Sequence, residues 1–324
     1  MKYRPFGSLG WNVSEIGFGA WALGGSSWGG QDDADSLAAL RRALDSGVNL
    51  IDTAAGYGNG RSERVIAEAL ADHKGKVYLV TKTPVAVGPW PPRPNDAWQE
   101  RYPEDYLRKN VEERLSNLRV DTLDVLLLHV WNRAWNRDPG PLETLRKLKA
   151  EGKIRAFGIS TPDFDQDQVN SLIATRQIDV VQLVYNIFEQ MPRAESLPLA
   201  HANGVAVMGR LVFDEGSLTG KLTTETAYPK EDFRSRYFRG DRLAETVRRV
   251  EKIREELANT GYDLPTAAIR FALAEPGMSV VIPGMRNARQ VDANVAASHA
   301  PDLSAELLNR LYNHWWNRGN WHAG

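Results

Sequence analysis

Three ionisable side chains close successive apolar runs: Asp52 in Leu50-Ile51-Asp52-Thr53, Lys82 in Val80-Thr81-Lys82-Thr83 and His129 in Leu127-Leu128-His129. Tyr57 follows Asp52 in the same loop, within Ala54-Ala55-Gly56-Tyr57-Gly58. A charge at the end of a buried strand is costly unless paired, so Asp52 and Lys82 are expected to meet as an ion pair. A tyrosine hydroxyl beside an ammonium group has its anion favoured, which would draw a pKa that starts near ~10 towards the range of a general acid. Proton transfer is the chemistry these residue types imply. The chain has no cysteine, which excludes disulfides, thiolate nucleophiles, iron–sulfur clusters and cysteine zinc sites. No HExxH or similar ligand spacing occurs either, so no metal is expected.

These side chains need a scaffold that brings strand ends together. Eight segments are rich in β-branched and aliphatic residues: 15–19, 49–52, 77–81, 123–128, 154–159, 180–184, 205–208 and 279–282. Most are continuous apolar runs, as in a parallel sheet covered on both faces. Helical patterns lie between them at 35–46, 62–71, 103–118, 142–150, 165–175 and 288–297. Asp32 or Asp33 would cap the first helix, and Pro141 would sit near the start of the fourth. The alternation, with no linker-like break, predicts an α/β fold over residues 1–324 as a single domain. A (β/α)8 TIM barrel fits better than an open doubly wound sheet. Residues 2–6 and 11–13, flanking Gly7-Ser8-Leu9-Gly10, predict an N-terminal β-hairpin covering one end, and an extra helical segment is expected at the C-terminal end. In such a barrel catalytic groups lie at the C-terminal ends of the strands.

Charge narrows the partners. With 40 Lys+Arg against 41 Asp+Glu the formal charge is −1, which argues against a nucleic-acid binder. The first ten residues lack the apolar stretch of a signal peptide. The longest apolar segment, around 123–131, is interrupted by Asp124 and His129 and is too short to span a bilayer. A soluble cytoplasmic protein acting on a small molecule is expected. Association into oligomers is possible but not indicated by any sequence feature.

Asp52-Thr53-Ala54-Ala55-Gly56-Tyr57-Gly58 followed by Ser62-Glu63, with Lys82 and His129 at the matching strand ends, resembles the signature of the aldo-keto reductase family. The resemblance runs from Gly17-Phe18-Gly19 to residues 291–294. It implies a (β/α)8 barrel, a nicotinamide cofactor (usually NADPH, less often NADH) and reduction of an aldehyde or ketone to the alcohol. Tyr57 would then donate the proton, Lys82 held by Asp52 would tune it, and a neutral His129 would orient the substrate oxygen.

The same resemblance assigns the cofactor groove. Asp52, Ser160, Thr161 and Gln182 lie where family members hold the nicotinamide end, and Tyr185 matches a ring on which nicotinamide stacks. Residues 210–221 resemble the loop covering the pyrophosphate, implicating Arg210, Phe213, Gly216, Ser217, Leu218 and Lys221. Pro283, Gly284, Arg286, Gln290 and Asn294 resemble the adenosine site, with Arg286 on a 2′-phosphate. Three positions depart from the common pattern: Thr161 for asparagine, Val212 for proline and Ala293 for an acidic residue.

Ten tryptophans suggest the substrate. Trp21, Trp28, Trp90 and Trp131 are expected to line the mouth with Tyr57 and His129, and Trp315 and Trp316 to fold over it, favouring a bulky or aromatic carbonyl compound. Two rival classes share parts of this pattern. A cofactor-sensing regulatory subunit like the potassium-channel β subunits keeps the same four residues. A glycosidase-like barrel would use Asp52 with a second strand-end carboxylate, for which no convincing residue stands in the sequence.

Overall fold

The computed structural model describes residues 1–25 and 29–318. The apolar runs pair in parallel as β3 (Phe18–Gly19), β4 (Leu50–Asp52), β5 (Tyr78–Thr83), β6 (Leu123–Leu128), β7 (Ile154–Ser160), β8 (Val180–Val184), β9 (Ala206–Arg210) and β10 (Val280–Val281), each beside its sequence neighbour. Bridges from Ile16 to Val281 and from Gly19 to Gly284 join the first strand to the last and close the barrel. The expected segment 15–19 is regular strand only at its end, because its N-terminal part contributes those closing contacts instead.

Helices follow the strands as α1 (Asp33–Asp45), α2 (Arg61–Leu70), α3 (Trp98–Arg101), α4 (Glu104–Leu118), α5 (Gly140–Ala150), α6 (Asn170–Ala174), α7 (Ser196–Asn203), α8 (Phe233–Tyr237), α9 (Arg242–Leu257), α10 (Leu264–Leu273), α11 (Ala288–Ala296) and α12 (Ala305–Tyr312). Asp32 caps α1, accepting from the N–H groups of Ala34 and Asp35. Pro141 lies in the first turn of α5. The sequence reading did not place α7, α9 or α10. The segment of α10, LPTAAIRFAL, is buried along most of its length and lacks the polar stripe that marks an amphipathic helix. Among the described residues no helix is long and apolar enough to cross a membrane.

Two apolar layers result from the period-2 geometry of the strands. Leu50, Val80, Leu127, Val180 and Met208 face inward; Ile51, Leu79, Leu126, Val181 and Val207 face the helices. The hairpin of β1 (Tyr3–Pro5) and β2 (Asn12–Ser14) places Phe6, Trp11 and Val13 against the inner layer, sealing the end opposite the site. At Gly158 a Cβ would lie 1.8 Å from the carbonyl oxygen of Val180, so only glycine lets β7 and β8 approach this closely.

Ser62 and Glu63 of the motif serve this framework. The Ser62 hydroxyl accepts from Thr53 at 2.9 Å and donates to the Ala20 carbonyl at 3.0 Å. Glu63, fully buried in α2, accepts from Thr81 at 2.7 Å and Asn117 at 2.9 Å and pairs with Arg114 of α4 at 2.8 Å. Burial pushes the Glu63 carboxyl above its ordinary range despite the Arg114 charge. Removing one partner of a buried pair leaves an uncompensated charge. Arg114→Met should therefore lower stability by about 3–5 kcal/mol, measured by urea denaturation, and adding Glu63→Gln should restore part of it; an unchanged midpoint would refute the pair's structural role.

Candidate active site

At the mouth of the barrel the inward positions turn from apolar to polar within the last three residues of four strands. Leu50 gives way to Asp52, Val80 to Lys82, Val180 to Gln182 and Met208 to Arg210. The Lys82 ammonium is fully buried and donates to Asp52 Oδ2 at 2.6 Å, the Thr53 carbonyl at 2.8 Å and Tyr57 Oη at 3.3 Å. These bonds use all three of its protons. Because Tyr57 oxygen accepts from Lys82, the tyrosine's own proton is directed elsewhere, free for a ligand in the mouth. The other Asp52 oxygen accepts from Gln182 Nε2 at 2.8 Å, and Gln182 Oε1 accepts from Ser160 Oγ at 3.3 Å.

Tyr57 is carried by a tight turn after β4. Its N–H donates to the Ala54 carbonyl, and the next residue, Gly58, has φ +64° against the backbone of Gly24, where a Cβ would come within 2.2 Å of the Gly24 oxygen. The Tyr57 and His129 rings meet edge to face with centroids 5.9 Å apart, and Trp90 lies edge-on to His129 at 4.9 Å. Trp21 lies 6.2 Å from the Tyr57 ring and 5.7 Å from Phe233.

Electrostatics correct one expectation. Burial raises the Tyr57 pKa, and the opposing charge of Lys82 does not overcome it. The His129 pKa is depressed well below its ordinary value, first by burial and then by Lys82 and Arg210, so the imidazole is neutral, as the sequence reading required. Tyr57 and His129 are thus both neutral hydrogen-bonding groups around one gap.

The structure brings together Asp52, Tyr57, Lys82, His129, Ser160, Gln182, Trp21 and Trp90. Thr161, just past Ser160, is fixed by its N–H and hydroxyl, both donating to the Gln182 carbonyl. Two residues do not join this group. Tyr185 lies on the outer face, opposite in parity to Gln182, stacked on Phe271 of α10 at 5.7 Å and donating to Glu275 at 2.6 Å. Trp131 is 1% exposed, packs edge-on against Trp135 and donates to Asn136, so it belongs to the outer core. Trp28 falls outside the described residues. Trp316 packs on Phe188 at 5.6 Å instead of covering the mouth.

Sequence reasoning missed Asp163. Arg210, at the end of β9, donates to the Thr161 carbonyl at 2.8 Å and to Asp163, which makes the guanidinium part of the mouth. The loop that follows has Leu211, Asp214 and Glu215 at positive φ, a conformation that costs a non-glycine residue about 1–2 kcal/mol. Ser217 donates to Asp214 and Leu218 is buried in the core; Phe213 packs against that core and Lys221 is exposed. At Gly216, φ +96°, a Cβ would meet nothing within 4 Å. Arg286, before α11, donates to Gln31 Oε1 at 2.8 Å and the Gly30 carbonyl at 2.6 Å, while its N–H is held by Gln290. Asn294 donates to the Gly284 carbonyl at 3.4 Å. Pro283, whose carbonyl accepts from Gly19, closes the barrel seam.

This donor set fits a nicotinamide dinucleotide. Ser160 and Gln182, bonded to one another beside Asp52, offer the donors and acceptors a carboxamide needs, Gly216 leaves space open at its Cβ position, and Arg286 carries a guanidinium of the kind that binds phosphate. Such a fold and site define an oxidoreductase barrel. Residues 15–315 match the Aldo/keto reductase family model. The chain belongs to that family and is an NAD(P)H-dependent oxidoreductase. It is 32% identical over 306 residues to Aldo-keto reductase YhdN of Bacillus subtilis, covering 90% of this chain and 87% of the relative. It is 27% identical to the NADH-specific methylglyoxal reductase of Escherichia coli, covering 96% and 98%. The solved glycerol dehydrogenase of Gluconobacter oxydans superposes with a TM-score of 0.79 at 28% identity, covering 96% of this chain and 94% of that one.

Glu215 supplies a test of these electrostatics. It is buried and one carboxylate oxygen has no hydrogen-bond partner. Burial, then Asp163 and Asp214, push its pKa up to about 8 against Arg210 and Arg234. An acid whose folded pKa lies above its unfolded value binds more protons when folded, so stability falls as pH rises through that window. Glu215→Gln should raise the Tm at pH 8.5 relative to wild type and change it little at pH 5; the reverse pattern would refute the assignment.

Proposed function

We propose that the chain acts as one barrel domain that reduces a bulky or aromatic aldehyde or ketone to the alcohol, with NADPH preferred over NADH. The observation that carries this reading is the hydrogen-bonded chain Asp52–Lys82–Tyr57 beside a neutral His129. When bound, the reduced nicotinamide supplies the hydride. Ser160 and Gln182 orient its carboxamide, the loop after β9 with Gly216 and Ser217 holds the diphosphate, and Arg286 with Gln290 and Asn294 receives the adenosine end.

The substrate oxygen sits between the Tyr57 hydroxyl and the imidazole, which donates one hydrogen bond to it. Tyr57 passes its proton to that oxygen. Lys82, already bonded to the phenolic oxygen, stabilises the tyrosinate left behind, and Asp52 keeps Lys82 in place. Trp21, Trp90 and Phe233 form the apolar wall, which favours a flat or bulky substrate. The location that goes with this reading is the cytoplasm.

The test is NADPH oxidation by the purified protein against aromatic, aliphatic and quinone-like carbonyls. Tyr57→Phe should lower kcat/KM by about 10²–10⁴-fold with NADPH binding retained. Because Tyr57 is shifted upward and His129 downward, the wild-type reduction rate should stay level through neutral pH and fall only on the alkaline side as Tyr57 ionises. Absence of turnover with every carbonyl, despite tight NADPH binding, would favour the cofactor-sensing class instead.

Cofactor preference has its own measurement. Arg286→Ala should weaken NADPH binding by roughly 10–100-fold, the worth of a charged hydrogen-bond pair, and NADH binding by much less. Equal losses for both would remove Arg286 from the 2′-phosphate.

A further inference from the structure

The loop after β9 is held by a residue far from it in sequence. After α12 the chain turns back: the Trp316 N–H donates to the Phe188 carbonyl at 2.9 Å, and the Arg249 guanidinium covers the Trp316 ring at 4.3 Å. Two residues on, Arg318 is 9% exposed and donates to both Asp214 and the Tyr237 hydroxyl. Asp214 is the hub of this loop. Its Oδ2 accepts from Ser217 at 2.8 Å, and its Oδ1 accepts from Tyr237 at 3.1 Å and from Arg318.

Two features make this arrangement consequential. Asp214 and Glu215 both hold left-handed backbone conformations that L-residues disfavour, which persist only where the surroundings over-determine them. Both also carry buried carboxyl groups, in the loop that the functional reading gives to a diphosphate. Arg210 is committed to Asp163, and among the described residues Arg318 is the cation bonded to Asp214. Without it, an uncompensated carboxylate would face two phosphates at low local dielectric.

We propose that Arg318 is a positioning residue for the cofactor loop: by neutralising and anchoring Asp214 it holds residues 211–216 in the form that accepts the dinucleotide diphosphate. This inference rests on the reading of that loop as the diphosphate strap. The segment after α12 thereby contributes to cofactor affinity without touching the cofactor.

The test uses the full chain with Arg318→Leu, Arg318→Lys, and Arg318→Leu combined with Asp214→Asn. NADPH affinity is read from tryptophan fluorescence quenching, and loop exposure in ligand-free protein from limited trypsin cleavage after Arg210 and Lys221. Arg318→Leu should raise the NADPH Kd by about tenfold or more, with the kinetic loss in KM for cofactor rather than in kcat. Arg318→Lys should recover part of the affinity, and Asp214→Asn should recover part of it in the leucine background. Trypsin should cut the leucine variant faster than wild type.

Unchanged affinity in Arg318→Leu, or a loss that Asp214→Asn does not relieve, overturns the proposal while leaving the strap reading intact. Failure of wild type to bind any dinucleotide overturns the strap reading and the affinity claim together; trypsin then reports whether Arg318 anchors the loop at all. If Arg318→Leu does not fold, Arg318→Lys and Tyr237→Phe carry the same measurements, and equal Kd values for both and wild type overturn the proposal.

Discussion

Everything at the barrel mouth is arranged around one buried ammonium group. A lysine nitrogen withdrawn from water loses hydration worth several kcal/mol, and that loss is offset only where its partners are close and complete. Lys82 has three acceptors for three protons, one from the neighbouring strand, one from the backbone just beyond that strand and one from tyrosine. The register of β4 on β5, with Asp52 beside Val80, sets the first two. The tight turn at Gly58 sets the third. Moving any of these elements would strand a charge, so the site and the strand register constrain each other.

Much of this was legible because a strand alternates its faces. Asp52, Lys82, Gln182 and Arg210 each follow an inward apolar residue by two positions, so once the strands are assigned, their direction is decided. The same rule explains the error at Tyr185, which differs in parity from Gln182 and so faces the helices. Trp131 failed for a related reason. Beyond the end of β6 the alternation no longer applies, and the ring folds outward into the cluster around Trp135. The helical layer was less legible. Helices such as α10 are apolar almost all round, because they are packed between the sheet and other helices.

What could not be read is the pairing of charges distant in sequence. Asp163 with Arg210, and Asp214 with Arg318, are fixed by loops whose paths follow from tertiary packing and not from any local pattern. The consequence is a mouth in which nearly every charge is cancelled. Lys82 meets Asp52, Arg210 meets Asp163, and Arg318 meets Asp214. Glu215 has no ion pair among the described residues, and burial, with Asp163 and Asp214 nearby, raises its pKa so that it retains its proton into the neutral range.

This cancellation bears on the direction of the chemistry. Burial pushes Tyr57 upward and His129 downward, so the two groups nearest the gap are both uncharged at neutral pH, one through keeping a proton and the other through refusing one. A neutral carbonyl compound therefore meets two uncharged groups, within reach of the positive charges of Lys82 and Arg210 that help depress His129. In the proposed reaction, negative charge develops on oxygen only as hydride arrives. At that moment the Lys82 ammonium, idle towards a neutral ligand, acquires an anion to stabilise through the phenolic oxygen it already holds. The arrangement thus discriminates between the ground state and the transition state, which is the condition an acid catalyst must meet to accelerate a reaction and not merely bind its substrate.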